Sequence, residues 1–280
     1  MGFQDRFLDV GVRLHYRDYP SESSLTPVLC LHGLTRNSRD FHEAASWMQA
    51  SRRVICPDQR GRGDSASDPE WKNYHPSTYV QDMFALLDQL EIDRCIVLGT
   101  SLGGLMAMLM AGQQPQRLAG VILNDVGPEL NPEGIARVVA YVGQQPPVTS
   151  WEDAAEQCRE AYGLSFPDWT RDDWLAHARR GYREDADGVR LDFDLNIGRA
   201  LREVGGTLDD PWVLFEAVTM PCLLLRGSLS DILTRDLAGK MKQRMPSMLW
   251  QEIPNRGHAP MLDEPESREA IARFLDQIDA

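Results

Sequence analysis

The sequence lacks any apolar run of bilayer length. Its most apolar window, around Leu105 to Ala111, falls far short of the ~20 residues a membrane span requires. The opening MGFQDRFLDV carries no apolar core of secretory-leader length, and Arg6 stands where a myristoylation signal needs Ser or Thr. Internal repeats and low-complexity stretches are absent. Cysteine is sparse and odd in number, five in all, with no pair at zinc-type spacing. Cys30, Cys56, Cys95 and Cys222 each sit inside an apolar run, where a thiol acts as a small core residue. Positive charge is short as well: 29 Lys plus Arg against 42 Asp plus Glu give a net charge of −13. A field of that sign repels phosphate backbones and anionic membranes. The expectation is a cytoplasmic protein with reduced thiols, acting on a small molecule, with no nucleic-acid or membrane partner and no metal or organic cofactor.

What is present is a steady alternation of strands and helices. A length of 280 residues, 42% hydrophobic and 25% charged, suits one globular core with an inserted subdomain. Val12, Leu14 and Tyr16 alternate after Gly11 and predict an antiparallel hairpin over about Arg6 to Tyr19. PVLCLHG (27–33), RRVICPD (52–58), CIVLGT (95–100) and LAGVILND (118–125) are continuous apolar runs, the pattern of strands buried on both faces of a parallel sheet. Helical spacing separates them. Phe41, Ala44, Ala45 and Met48 mark one helix with Ser38 as its N-cap. Tyr79, Val80, Met83, Phe84, Leu87 and Leu90 mark another, entered through Pro76 and capped by Thr78 with Gln81. Leu102 to Gly112 is apolar all round.

After Pro128 the rhythm breaks, then resumes with CLLLRG (222–227), a helix near Thr234 to Arg244, LWQEIP (249–254) and a terminal helix from about Glu266. The reading is an α/β core over 1–127 and 219–280 with a helical cap inserted over 128–218, after the sixth strand and without strands of its own. That insertion holds four of the seven tryptophans. Trp151, Phe166, Trp169, Trp174, Tyr182 and Trp212 are the candidates to line a substrate pocket beneath it, although aromatics at helical spacing also build a helical core.

Gly99-Thr100-Ser101-Leu102-Gly103 fits G-x-S-x-G, placed where a strand exits into an apolar helix. Such a turn lifts a serine hydroxyl above the strand ends, with a helix N-terminus behind it. A serine needs a base. His258, in the loop between the last strand and the final helix, lies on the same sheet edge. The base in turn needs a carboxylate. Asp231, in the loop after CLLLRG, is the first choice, and Asp125, at the end of LAGVILND, is the rival on the same edge. His32-Gly33-Leu34 ends the first buried strand. The amides of Leu34 and Leu102 are assigned to an oxyanion hole, with His32 bracing the loop beneath.

Together LHGLTRNS (31–38), PDQRGRGDS (57–65), GTSLGG (99–104), RGSLSDIL (226–233) and NRGHAPML (255–262) resemble the α/β-hydrolase superfamily, in its serine-nucleophile, esterase- or lactonase-like branch. The resemblance implies an eight-stranded, mostly parallel sheet with an antiparallel second strand and a cap after strand six. It also implies Ser101 as nucleophile, Asp231 as acid and His258 as base, with Asp58, Arg60, Gly61, Gly63 and Ser65 in a bracing loop. The expected reaction is two-step hydrolysis of a small, mostly apolar carboxylic ester or lactone. A C–C bond hydrolase of a diketone using the same triad, and a non-catalytic ligand-binding protein on the same fold, are the alternatives.

Overall fold

The computed structural model describes residues 2–186, 188–204 and 210–280. Among the described residues there are ten strands. β1 (Gln4–Asp9) and β2 (Arg13–Tyr19) form the N-terminal hairpin, turning through Gly11 at φ +90°. β3 (Val28–Leu31), β4 (Val54–Pro57), β5 (Cys95–Thr100) and β6 (Leu118–Asn124) follow. β7 (Tyr182–Asp185) and β8 (Gly188–Leu191) pair only with each other, and β9 (Cys222–Gly227) and β10 (Leu249–Ile253) complete the main sheet. That sheet has eight strands in the order β1-β2-β4-β3-β5-β6-β9-β10. β2 is antiparallel to both of its neighbours, and the other pairs are parallel.

The continuous apolar runs are explained by burial on both faces. Leu29, Leu31, Val97, Val121, Leu123 and Leu224 point to one side, and Val28, Cys30, Ile96, Leu98, Ile122 and Leu225 to the other. Helices α1 (His42–Met48), α2 (Pro76–Gln89) and α3 (Leu102–Gln113) come from the first half of the chain. The insertion supplies α4 (Pro132–Tyr141), α5 (Trp151–Tyr162), α6 (Arg171–Gly181), α7 (Asn196–Val204) and α8 (Pro211–Glu216). α9 (Arg235–Arg244) and α10 (Pro265–Ile278) close the fold. α2, α3, α8 and α9 cover the first face, while α1 and α10 cover the second. Each sheet face is therefore dry, as a parallel sheet requires. All five cysteines are buried and unpaired. Among the described residues no helix is long and apolar enough to cross a membrane.

Local details differ from the sequence reading. The turn before α1 is capped by Asn37, whose side chain accepts from the Arg39 amide, and not by Ser38. α2 is capped by His75, which accepts from the Ser77 amide, so Thr78 lies already inside the helix. The insertion, expected to be helical throughout, carries the β7–β8 hairpin. Four-residue strands with charged faces give too short an alternation to stand out from loop. Positions 187 and 205–209 of the expected insertion lie outside the described residues. The insertion is also divided energetically. Ala154, Cys158, Phe166, Trp174, Ala178, Tyr182 and Val189 make a small core of their own, whereas Phe193, Ile197, Trp212 and Phe215 join the main core.

Candidate active site

Ser101 sits between β5 and α3 at φ 53°, ψ −117°, a backbone conformation that is strained for a residue with a side chain. The flanking glycines make the turn possible through close approach. A Cβ on Gly103 would lie 1.9 Å from the Leu31 carbonyl oxygen, and one on Gly99 would lie 2.2 Å from the Gly103 oxygen. The turn thus packs backbone on backbone and leaves the serine hydroxyl at the carboxyl ends of the strands.

The Ser101 hydroxyl lies 2.8 Å from His258 Nε2, so the two residues that the sequence reading paired do meet. The His258 loop is tied down on both sides. Asn124 Nδ2 donates to the Pro260 carbonyl at 2.8 Å, and the Gly257 amide donates to the Ser165 carbonyl at 2.7 Å.

The third partner requires a correction. His258 Nδ1 lies 2.8 Å from Asp125 Oδ2, and Asp125 is fully buried. Its carboxylate also accepts from the Gly227 amide at 2.9 Å and the Ser230 hydroxyl at 2.6 Å, so three donors converge on it. Asp231, the first choice from sequence, faces away: its carboxylate pairs with Arg137 at 2.7 Å and is 44% exposed. The neighbouring Ser230 turns inward to Asp125, and Asp231, next along a chain held by that contact, is turned toward α4. There the Asn131 side chain also donates to its backbone carbonyl at 2.9 Å.

Around the pair lies a cavity of about 110 Å³, walled by the Gly33–Arg36 segment, Ser101, His258 and Met261 on the sheet side and by Val138, Tyr141, Tyr162, Phe166 and His177 from the insertion. Leu34 lines it, one residue beyond Gly33, where a Cβ would stand 3.7 Å from the Ser101 Cβ. Leu102 opens α3 directly behind the serine, and first-turn amides have no helical carbonyl to bond. His32 is wholly buried beneath this loop: Nδ1 donates to the Gly33 carbonyl at 2.8 Å and Nε2 accepts from the Gln59 amide at 3.0 Å. Burial, with the Arg62 charge nearby, pushes its pKa down to about 4, so the ring is neutral.

The bracing loop is built around Asp58. It accepts from the Ser38 and Asp64 amides at 2.6 and 2.9 Å and lies 2.7 Å from His15 Nδ1. Burial would raise this carboxyl, but His15 and the amides outweigh it and bring the pKa down to about 2.

Of the six aromatic candidates for the pocket, Phe166 lines the cavity, while Trp151, Trp169, Trp174, Tyr182 and Trp212 do not. Trp169 stacks on Phe166 at 3.9 Å and meets Trp174 edge-on at 4.7 Å, inside the insertion's core. Trp151 Nε1 donates to Glu184 at 3.1 Å, and Trp212 Nε1 donates to Glu129 at 2.7 Å. Each indole is occupied by its own neighbours. Besides Phe166, the insertion faces the cavity with Val138, Tyr141, Val142, Tyr162 and His177, and Arg36 and Asp40 join them from the loop after β3. Only the four-residue spacing of Arg36 and Asp40 carries a local signal for this group.

An eight-stranded sheet with one antiparallel strand, a strained serine turn and a serine–histidine–aspartate chain at the strand ends define a hydrolase class. The model of the alpha/beta hydrolase family matches residues 28–272, and the chain belongs to that family; it is an enzyme, a hydrolase. An alpha/beta hydrolase from Novosphingobium aromaticivorans is 44% identical, with a TM-score of 0.94 and 99% of each chain covered. The 3-hydroxybutyrate-oligomer hydrolase of Cupriavidus necator is 31% identical over 98% of this chain and 97% of its own length. The 2-(acetamidomethylene)succinate hydrolase of Mesorhizobium japonicum is 26% identical over 98% of this chain and 96% of its own.

Proposed function

We propose that this hydrolase cleaves a small carboxylic ester through an acyl-enzyme, with Ser101 as nucleophile, His258 as base and Asp125 as the acid that orients His258. The observation carrying this reading is the unbroken chain Ser101 Oγ–His258 Nε2 and His258 Nδ1–Asp125, each link 2.8 Å, at the floor of a cavity. His258 takes the hydroxyl proton as Ser101 attacks the carbonyl carbon. The tetrahedral oxyanion is held by the Leu34 and Leu102 amides, each such donor contributing about 3–4 kcal/mol. His258 then gives the proton to the leaving alcohol, whose C–O bond breaks. A water deprotonated by the same imidazole releases the acid and regenerates Ser101.

The size of the cavity supports a short acyl group. At about 110 Å³ it is smaller than the ~150 Å³ site that admits one benzene. A relative at 31% identity named for hydrolysing 3-hydroxybutyrate oligomers supports the same class.

The test uses a fluorophosphonate probe and a short-chain aryl ester. Wild type is labelled and turns over, and Ser101→Ala does neither. Asp125→Asn loses about 10⁴-fold in kcat, as expected when the imidazole is left in the wrong tautomer, while Asp231→Asn stays within about threefold. An unlabelled wild type rejects the acyl-enzyme. A large loss at Asp231 with none at Asp125 reassigns the acid. Cleavage of a vinylogous diketone in preference to every ester assigns the C–C reaction instead.

A further inference from the structure

The cavity holds one polar side chain that nothing so far employs. His177, on α6, is 5% exposed and lines the cavity, yet neither ring nitrogen has a hydrogen-bond partner among the described residues. Tyr162, Phe166, Trp169 and Trp174 surround it, with ring centroids 5.3 to 6.4 Å away. An aromatic nest of that kind would accept a phenylalanine without penalty. An imidazole there forgoes the hydrogen bonds it makes in water, and buried polar groups are nearly always satisfied by protein, water or ligand.

The charges facing it narrow the ligand. Arg36 and Asp40 are joined by two bonds of 2.6 Å, and Arg180, outside the cavity wall, approaches the same carboxylate at 3.7 Å. Tyr141 and Tyr162 share a hydroxyl–hydroxyl bond of 2.9 Å, which uses the donor of one of them. Burial, with the positive Arg36 beside it, pushes His177 well below the ordinary imidazole range, so the ring is neutral and offers one N–H and one lone pair. A carboxylate would lose its hydration and meet in the wall an Arg36 already bonded twice to Asp40, with the Asp40 charge beside it. A hydroxyl can donate to the bare nitrogen or accept from the N–H, and it leaves the rest of the acyl chain free to lie on Val138, Val142, Phe166 and Met261.

We propose that His177 is a specificity residue which hydrogen-bonds a hydroxyl group carried on the acyl chain, so that the preferred substrates are esters of short hydroxy acids. This rests on the acyl-enzyme reading above and adds the chemistry of the acyl group to it.

The experiment compares kcat/KM for two aryl esters of equal chain length, butyrate and 3-hydroxybutyrate, corrected for their rates in buffer. Wild type favours the hydroxy ester by about tenfold, the usual cost of leaving a buried partner unpaired. In His177→Phe the ratio falls to about one. In His177→Gln, which keeps both a donor and an acceptor, much of the preference returns. The wild-type comparison needs no variant to fold: a ratio of one or less overturns the proposal, as does a monosuccinate ester preferred over both. A ratio unchanged in a folded His177→Phe overturns it too. If neither ester is cleaved and Ser101 is unlabelled, it is the acyl-enzyme reading that has failed. Ester cleavage without hydroxyl preference sinks the His177 assignment alone.

Discussion

Asp125 and Asp231 show how narrowly a side chain's role is decided. Both follow strands whose ends lie at the same rim, since β6 and β9 are parallel neighbours with Asn124 opposite Leu225. Chain order and edge position are the same for either, so the sequence supports both. The choice is made by Ser230 and the Gly227 amide, which draw Asp125 into a buried three-donor site, and by Arg137, which holds Asp231 outside. Orientation over a few ångströms leaves no periodic trace in the text. Glycine is the opposite case: the glycines of the G-x-S-x-G pattern stand in the sequence itself, and the fold shows the close packing they permit. Replacing Gly103 with Ala forces a Cβ to within 1.9 Å of the Leu31 oxygen, backbone that cannot yield cheaply. That variant should lose more than about 4 kcal/mol or fail to fold. Gly239, inside α9, has nothing within 4 Å of its would-be Cβ. Gly239→Ala should gain about 0.5–1 kcal/mol from helix propensity alone. Urea denaturation of the two variants checks both signs, and a tolerated Gly103→Ala would show that the serine turn is looser than its geometry implies.

At the scale of elements, the strands of the main sheet were readable because burial on both faces leaves long apolar runs. The β7–β8 hairpin was not, since its short strands carry Arg183, Glu184, Asp185 and Arg190 and pair only with each other. The cavity wall was misread for a related reason: tryptophan marks apolar packing, and nothing in a helical stripe says whether a core or a cavity lies beneath it. How loop and helix are joined was also hidden. Arg60, in the bracing loop, forks onto Asp82 of α2 with bonds of 2.8 and 2.6 Å and pairs with Asp68 as well, all with little exposure. Removing the guanidinium strands a buried carboxylate. Arg60→Ala should therefore cost about 3–5 kcal/mol, against less than about 1 kcal/mol for Arg137→Ala at the exposed Asp231 pair. Thermal melts of the two variants at one ionic strength test the contrast, and equal shifts would refute it.

Over the whole molecule, the buried histidines set how stability follows pH. His32 and His177 are held neutral by burial, with their pKa values driven below the ordinary 6.5, to about 4 for His32. As pH falls below 6.5 the unfolded chain takes up protons at these two positions and the native chain does not, so the equilibrium shifts toward unfolding. For His32 this amounts to about 3 kcal/mol lost between pH 6.5 and 4. Asp58 adds a second loss of the same sign, confined to the range from 3.8 down to about 2. His15 acts oppositely. Burial pulls its pKa down, but Asp58 and Asp5 outweigh that and raise it, so its contribution is full below 6.5 and fades as pH climbs through the raised value. The net charge of −13 also changes with pH, since acidification relieves repulsion among surface carboxylates. At 0.15 M salt those charges are screened beyond ~8 Å, whereas the buried rings are not. The histidines therefore decide the sign. Unfolding free energies from urea titrations in 0.15 M NaCl should peak near neutral pH, fall steeply from 6.5 to 4, and decline gently above 7. A profile flat between pH 6.5 and 4.5 would mean that His32 and His177 are free to take a proton inside the fold.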